Sequence, residues 1–318
     1  MSDIHDIIII GGGPAGLTAG IYSARARMNT LLLEKMIPGG QVLVADLIEN
    51  FPGFPSGTKG PELADLMLKQ AEAAGLKIST GDVNKITPKR SEKDPFVIET
   101  VEGEVFKTLS VIVSTGANWN ALGVPGEDRL KGRGVSYCAT CDGPLFKDKD
   151  VAVVGGGDTA LGEAIFLTRF ARKVTVIHRR DKLRATKILQ ERALTNKKIE
   201  LCLESVVTEI TGNVRVEGIK VKNVSTNEEK VIKADGIFVL IGLSPNSGIF
   251  KGLLELDEKG YIKSDEDMRA SVNGIFTCGD VRKKSLRQIV TAAGEGATAA
   301  VSAEHYVEAL KGTAYPRL

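Results

Sequence analysis

The sequence predicts an α/β protein of two Rossmann-like domains, three-layered and of the ββα type, the second inserted in the first. A short apolar run ending in a glycine-rich turn occurs twice, at 7–16 and 151–160, and each copy is followed by another apolar run at the same interval. The 318 residues, 42% of them hydrophobic, supply enough apolar side chains for two cores.

In chain order, Ile7-Ile8-Ile9-Ile10 reads as a strand and GGGPAG (11–16) as the turn into a helix. Gly11 permits the turn, Gly13 lets the backbone approach a pyrophosphate, and Gly16 lets helix pack on strand. Pro14 falls in the first helical turn, where its missing N–H costs nothing. The helix start then offers free N–H groups and partial positive charge to phosphates. Thr30 to Leu33 is the next strand. It ends in Glu34, 18 residues past Gly16, where a ribose-binding acid belongs.

Val151 to Val154, GGGDTA (155–160), an amphipathic helix and the strand Val174 to Ile177 repeat the unit. A shift of 144 residues superimposes the copies without a gap: Gly11 on Gly155, Gly13 on Gly157, Gly16 on Ala160, Glu34 on His178. The last pairing separates two ligands. A carboxylate accepts hydrogen bonds from a ribose 2′-OH and repels a 2′-phosphate. The second copy instead reads HRRDKLR (178–184), whose Arg179, Arg180 and Arg184 suit a phosphate. The first site is therefore expected to take a dinucleotide with a plain adenosine ribose, and the second NADP(H). A solvated basic face is the rival reading of HRRDKLR.

Each unit runs on into hairpin-like material and a further strand, Val111 to Ser114 and Ile237 to Ile241, as expected of an ancient duplication. Beyond 245 come a short strand, Gly274 to Cys278, then Gly279-Asp280, then a long helix from about Gln288 to Leu310. This piece holds no third unit and is expected to complete the first domain. The expected domains are 1–117 with 247–318, and 118–246.

Net charge is +2, from 42 basic and 40 acidic side chains, which gives no reason to propose nucleic acid or a membrane surface as partner. The apolar run at the N-terminus is too short for a signal peptide, and no segment approaches the roughly 18 apolar residues of a membrane span. A cytoplasmic location, with thiols kept reduced, is the expectation.

The four cysteines are 138, 141, 202 and 278. Cys138 and Cys141 stand in CATCDG (138–143). Structural zinc needs four ligands, and the remaining cysteines and the three histidines are scattered, so no metal site is expected. A staple across so short a loop removes little unfolded-state entropy. The functional reading is a dithiol–disulfide couple. Asp142, beside it, can donate or accept the proton, with a plain turn residue as the rival. NADPH delivers a hydride and a disulfide takes electrons through thiolates, so a flavin is needed between them; FAD belongs in the first site. Cys141 is only 14 residues before Gly155, so nicotinamide and disulfide compete for one flavin, and one domain is expected to swing.

Over its whole length the chain resembles the low-molecular-weight thioredoxin reductases. GGGPAG, including Ala15, and Glu34 are similar to that family's FAD fingerprint. Gly40 and Gln41 in GGQ (39–41), Asn50 in ENFPGF (49–54) and Gly116 in STGA (114–117) match its flavin-side loops and interdomain strand end. Gly279 and Asp280 in TCGDV (277–281), with Arg287, Gln288 and Ile289 opening RQIVTAAGEGATAA (287–300), match its second FAD motif. Gly155, Gly157, Asp158 and Thr159 of GGGDTA, with His178, Arg179, Arg180 and Arg184, match its NADPH site.

The resemblance implies an FAD-dependent homodimer that reduces thioredoxin with NADPH. It implies that Cys141 is nearer the flavin, that Cys138 attacks thioredoxin's disulfide and that Asp142 moves the proton. It places Asp280 at the ribityl chain and Asn50, Gln41 and Gln288 on FAD. Cys278 departs from the pattern, standing where alanine is usual, and is expected to be a buried filler; Cys202 is expected in the core. Rival readings are a relative using another donor such as ferredoxin, one acting on another disulfide substrate, a CxxC oxidase, and a non-catalytic redox sensor.

Overall fold

The computed structural model describes residues 4–45, 47–92 and 94–314. The chain divides into two compact units. The first comprises residues up to 45, 51–118 and 244 onward; the second comprises 46–50 and 119–243.

The first unit opens with β1 (Ile4–Ile10), α1 (Pro14–Arg25) and β2 (Thr30–Glu34). After α2 (Gly60–Ala73) come β3 (Lys77–Thr80), β4 (Val83–Thr87), β5 (Phe96–Thr100) and β6 (Val105–Val113). The sheet order is β3-β2-β1-β6-β5-β4. The strands from β3 to β6 run parallel, while β5 is antiparallel to both β6 and β4. Side chains in β1 alternate between faces. Ile8 and Ile10 join Leu31, Leu33, Phe96, Ile98, Val111 and Val113 in one buried cluster beneath the antiparallel strands. Ile7 and Ile9, also fully buried, face the other side.

The chain crosses to the second unit through β7 (Ala117–Trp119) and back through β16 (Leu243–Pro245), which pair as a ribbon. Between them lie β8 (Val135–Ser136), α3 (Ala139–Asp142), β9 (Asp150–Val154), α4 (Asp158–Leu167), β10 (Lys173–Ile177), α5 (Lys187–Thr195) and β11 (Ile199–Cys202). The meander β12 (Ser205–Thr211), β13 (Gly218–Asn223), β14 (Glu229–Lys233) follows, then β15 (Gly236–Val239). The parallel sheet runs β11-β10-β9-β15-β8, and the meander is a separate sheet. Val151, Val153, Val174 and Val176 pack with the helices, whereas Ala152, Val154, Ile177 and Val239 pack with Val207, Ile219 and Val221 of the meander. Helices, parallel sheet and meander are the three layers.

The last strand and helix, β17 (Ile275–Thr277) and α6 (Ile289–Lys311), return to the first unit. Ile275 pairs with Val111, so β17 lies beside β6. Helix α6 packs on α1 so closely that a Cβ on Gly296 would come within 2.2 Å of the Ala15 carbonyl oxygen.

The duplication extends to the register. Ile7 pairs with Thr30 and Ile10 with Leu33; Val151 pairs with Val174 and Val154 with Ile177, the same pairs under the 144-residue shift. One element breaks the correspondence. The parallel strand beyond β6 is β17, from late in the chain, but its counterpart beyond β15 is β8, which precedes its own unit's first long strand. No helix among the described residues is long and apolar enough to cross a membrane.

Candidate active site

The two glycine turns are built alike, and their three small residues do different work. Gly11 and Gly155 have φ of 103° and 147°, and a Cβ on either would lie 2.6 Å from the carbonyl oxygen of the residue just past a strand, Ser114 and Leu240 respectively. Their amides donate to Leu33 O at 2.9 Å and Ile177 O at 3.1 Å. A Cβ on Gly16 would sit 1.9 Å from Gly11 O, so helix and strand meet there backbone to backbone. Gly13 and Gly157 differ: a Cβ on Gly13 meets nothing nearer than 4.0 Å, and one on Gly157 meets nothing at all. Protein packing does not require glycine at these two positions, so their bare backbones fit the close approach of a pyrophosphate. Pro14 and Ala15 open α1, as Asp158 and Thr159 open α4.

The strand ends diverge as their chemistry demands. Glu34 Oε2 accepts from Gly12 N at 2.6 Å and Oε1 from Met36 N at 3.1 Å, which fixes a carboxylate beside the first turn. In the second unit His178 is buried against Gly156, where a Cβ would come within 2.4 Å of the imidazole Nδ1. Burial, and then the charge of Arg184, hold its pKa below the usual histidine value. Its Nε2 is buried with no hydrogen-bond partner. The basic segment folds back onto the turn: Arg184 N donates to Gly156 O at 2.7 Å and Thr186 N to Asp158 Oδ1 at 2.6 Å. Arg179, Arg180 and Arg184 are exposed, and no ion pair recorded among the described residues uses them. Three exposed cations in the segment that folds back onto this turn fit an anionic group.

Around the second motif of the first unit, Asp280 follows β17. Lys284 Nζ approaches its Oδ1 at 3.1 Å, an ion pair out of hydrogen-bond direction, so this buried oxygen keeps its acceptor capacity unused. Glu295 on α6 braces the turn by accepting from Gly279 N at 2.8 Å, Arg282 Nη1 at 3.0 Å and Lys284 Nζ at 3.2 Å. The Arg287 guanidinium stacks over Tyr261 at 4.1 Å, with Nε lacking a hydrogen-bond partner. Gln288 caps α6 reciprocally with Thr291, just before Ile289. Gln41, which follows Gly40, donates to the Ala117 carbonyl, and Gly116 takes φ of 69° in open space. Buried acceptor and donor atoms without partners, beside an open glycine turn, fit a polar dinucleotide in this unit. Of the residues assigned there, only Asn50 falls in the short segment grouped with the second unit.

Cys138 and Cys141 form a disulfide, with Cα atoms 5.3 Å apart across the single turn of α3. Cys141 N donates to Cys138 Sγ at 3.2 Å. Two partners of this turn escape a reading of the sequence. The Ser136 hydroxyl donates to Asp142 Oδ2 at 2.6 Å and accepts from Cys138 N at 3.1 Å, joining the acid to the cysteine backbone. Glu163 Oε2 on α4 accepts from Ala139 N at 2.8 Å. The available signal for Glu163 was a lone internal charge in the otherwise apolar helix DTALGEAIFL. On the preceding side, buried Glu127 accepts from the Tyr137 hydroxyl at 2.8 Å and from Leu122 and Gly123 amides. Cys202 and Cys278 are free and buried, as expected, and no metal-binding cluster occurs among the described residues.

A twice-built dinucleotide fold carrying a CxxC disulfide defines a disulfide oxidoreductase. The family pattern of the pyridine nucleotide-disulphide oxidoreductases matches residues 5–296. Thioredoxin reductases of Bacillus subtilis and Streptomyces coelicolor are 47% and 46% identical, over 98% of this chain and 97% and 96% of theirs. The crystal structure of the thioredoxin reductase from Streptococcus pyogenes superimposes with a TM-score of 0.92 at 45% identity, covering 97% of this chain and all of that one. The Lactococcus lactis enzyme, solved in its FR conformation, gives 0.65 at the same identity, covering 95% and 99%. The chain belongs to the thioredoxin reductase family of the pyridine nucleotide-disulphide oxidoreductases.

Proposed function

We propose that the protein reduces the disulfide of thioredoxin with electrons from NADPH, relayed through FAD and the Cys138–Cys141 couple. The observation that carries this reading is a disulfide set in the same unit as a second glycine turn, onto which a segment with exposed arginines folds back through Arg184 N. The first unit is read as the FAD domain and the second as the NADPH domain. Glu34 would accept hydrogen bonds from the FAD adenosine ribose. Asp280 would hold the ribityl chain, and the Gly13 backbone would face the pyrophosphate. Arg179, Arg180 and Arg184 would hold the 2′-phosphate of NADPH over Gly157.

Bound FAD would supply a hydride acceptor able to pass two electrons to a disulfide. The rest falls to the chain's own residues. Two electrons and two protons open the Cys138–Cys141 bond. Cys138, as thiolate, attacks one sulfur of the substrate disulfide and the other leaves as a thiol. Cys141 then attacks Cys138, restoring the bond and releasing the second substrate thiol. Asp142, held by Ser136, carries the proton at each exchange. Two relatives equally similar in sequence give very different whole-chain superpositions, which supports a domain swing between half-reactions in this family. A cytoplasmic homodimer is part of the same reading.

The test is steady-state reduction of thioredoxin by the full-length protein with NADPH and NADH side by side. Fast turnover with NADPH alone is expected. Absence of thioredoxin reduction, or flavin reduction no faster with NADPH than with NADH, would overturn the reading.

A further inference from the structure

The redox turn is held at its Cys138 end by a carboxylate from elsewhere in the chain. Ala139 N donates to Glu163 Oε2 at 2.8 Å, and Glu163 lies on α4, the helix that starts at the second glycine turn. Cys141 N donates to Cys138 Sγ at 3.2 Å. A carboxylate and a sulfur thus draw on two amides of one four-residue turn. A Cβ on Gly143 would lie 3.2 Å from the Leu167 side chain, so the turn is seated directly on α4.

We propose that Glu163 is a positioning residue whose negative charge, held at Ala139, sets the acidity and reduction potential of the Cys138–Cys141 pair. The proposal rests on reading that pair as a working disulfide couple and not on which donor or acceptor it serves.

Reduction adds two electrons and two protons to the S–S bond and yields two thiols. Loss of one proton then gives a thiolate at Cys138. A carboxylate held at the amide that follows Cys138 disfavours that thiolate by like charge. The other titratable groups at the turn have hydrogen-bond partners of their own: Asp142 accepts from Ser136, which in turn accepts from Cys138 N, and the Tyr137 hydroxyl donates to Glu127. Burial raises the pKa of Glu163 itself, so it ionises later than an ordinary carboxylate as pH rises. Glu163→Gln keeps an oxygen acceptor for Ala139 and removes the charge, whereas Glu163→Ala removes both.

The full-length protein is equilibrated with reduced and oxidised dithiothreitol at a pH above the alkylation midpoint of the parent and quenched by alkylation. The alkylation rate of the reduced pair is also followed against pH. Removing the charge stabilises the thiolate and hence the reduced form. Glu163→Gln is expected to move the alkylation midpoint down by about one pH unit and, at pH above both midpoints, to lower the equilibrium constant for disulfide formation about tenfold, or about 30 mV. Glu163→Ala is expected to move both in the same direction, and provides the measurement if the Gln protein does not fold. Values within twofold of the parent in the folded variants, with only thermal stability altered, would reduce Glu163 to a structural clamp and overturn the proposal. Neither readout uses NADPH or thioredoxin, so failure of the parent to turn over with those two would count against the proposed function separately.

Discussion

Cys278 has no exposed surface, and burial together with the charge of Glu295 pushes its thiol up to about 12. A thiol in that state is neither nucleophile nor ligand near neutral pH. It is expected to resist alkylation in the native protein and to react only on unfolding, which mass spectrometry of labelled peptides can check. The half-buried Cys138 is the contrasting case. Cys138→Ser is expected to leave flavin reduction by NADPH intact and to abolish electron delivery to thioredoxin in stopped-flow and coupled assays. The nucleotide preference is also argued residue by residue. Each phosphate contact from arginine is a charge-assisted hydrogen bond of about 1.5–3 kcal/mol. Replacing Arg179 and Arg180 together by Gln should lower kcat/KM for NADPH by at least about a hundredfold and leave that for NADH nearly unchanged. Glu163 adds a pH dependence. Its folded-state pKa is raised by burial, so the folded protein holds that proton more tightly than the unfolded chain. Its contribution to stability is fully present below the ordinary carboxylate range and is lost as pH rises through the raised value. Thermal melts of Glu163→Gln and the parent should therefore diverge in the variant's favour between acid and neutral pH.

The glycine turn is the element where sequence and structure can be compared step by step. Gly11 and Gly16 are held to glycine by backbone neighbours, and both were legible from spacing because the strand–turn–helix geometry brings each against main-chain atoms; Gly13 meets no such neighbour, and its reason rests on the proposed pyrophosphate. Gly16→Ala would drive a methyl into a backbone oxygen 1.9 Å away and should cost about 1–3 kcal/mol or more in chemical denaturation. Gly13→Ala meets no protein atom within contact and has φ of −73°. It should keep or slightly raise stability, by up to about 1 kcal/mol, while the purified protein loses its flavin. Equal destabilisation by the two substitutions would show that Gly13 serves packing after all. Less was legible around the disulfide. CATCD announces itself, but Ser136 and Glu163 act through contacts that no periodicity encodes, since Glu163 reaches the turn from 24 residues away. The Glu295 brace is hidden for the same reason: its three donors come from the loop 279–284, well before α6 begins. Long-range polar partners are chosen by the packed fold, whereas turns and strands are chosen locally.

At the scale of the molecule, two units with separate cores should respond separately to their ligands. A ligand present at a hundred times its Kd stabilises the unit that binds it by about 2.7 kcal/mol. In calorimetry, NADP+ should raise the transition of the second unit and FAD that of the first. A single transition moved equally by both would show that the units unfold as one.

The duplication, the inserted order of the units and the late return of the chain were all readable, because they follow from motif order. The exchange of β8 for β17 at the sheet edge was not, since a two-residue strand leaves almost no pattern. That exchange and the packing of α6 on α1 have a consequence during synthesis. The second unit is nearly contiguous and can close its parallel sheet once residue 239 has left the ribosome. Helix α1 is made more than 250 residues ahead of its packing partner, since α1 ends at Arg25 and α6 begins only at Ile289. At cellular elongation speeds the nascent chain carries that apolar helix without α6 for on the order of tens of seconds, so α1 is the element most exposed to mispairing while the chain is made.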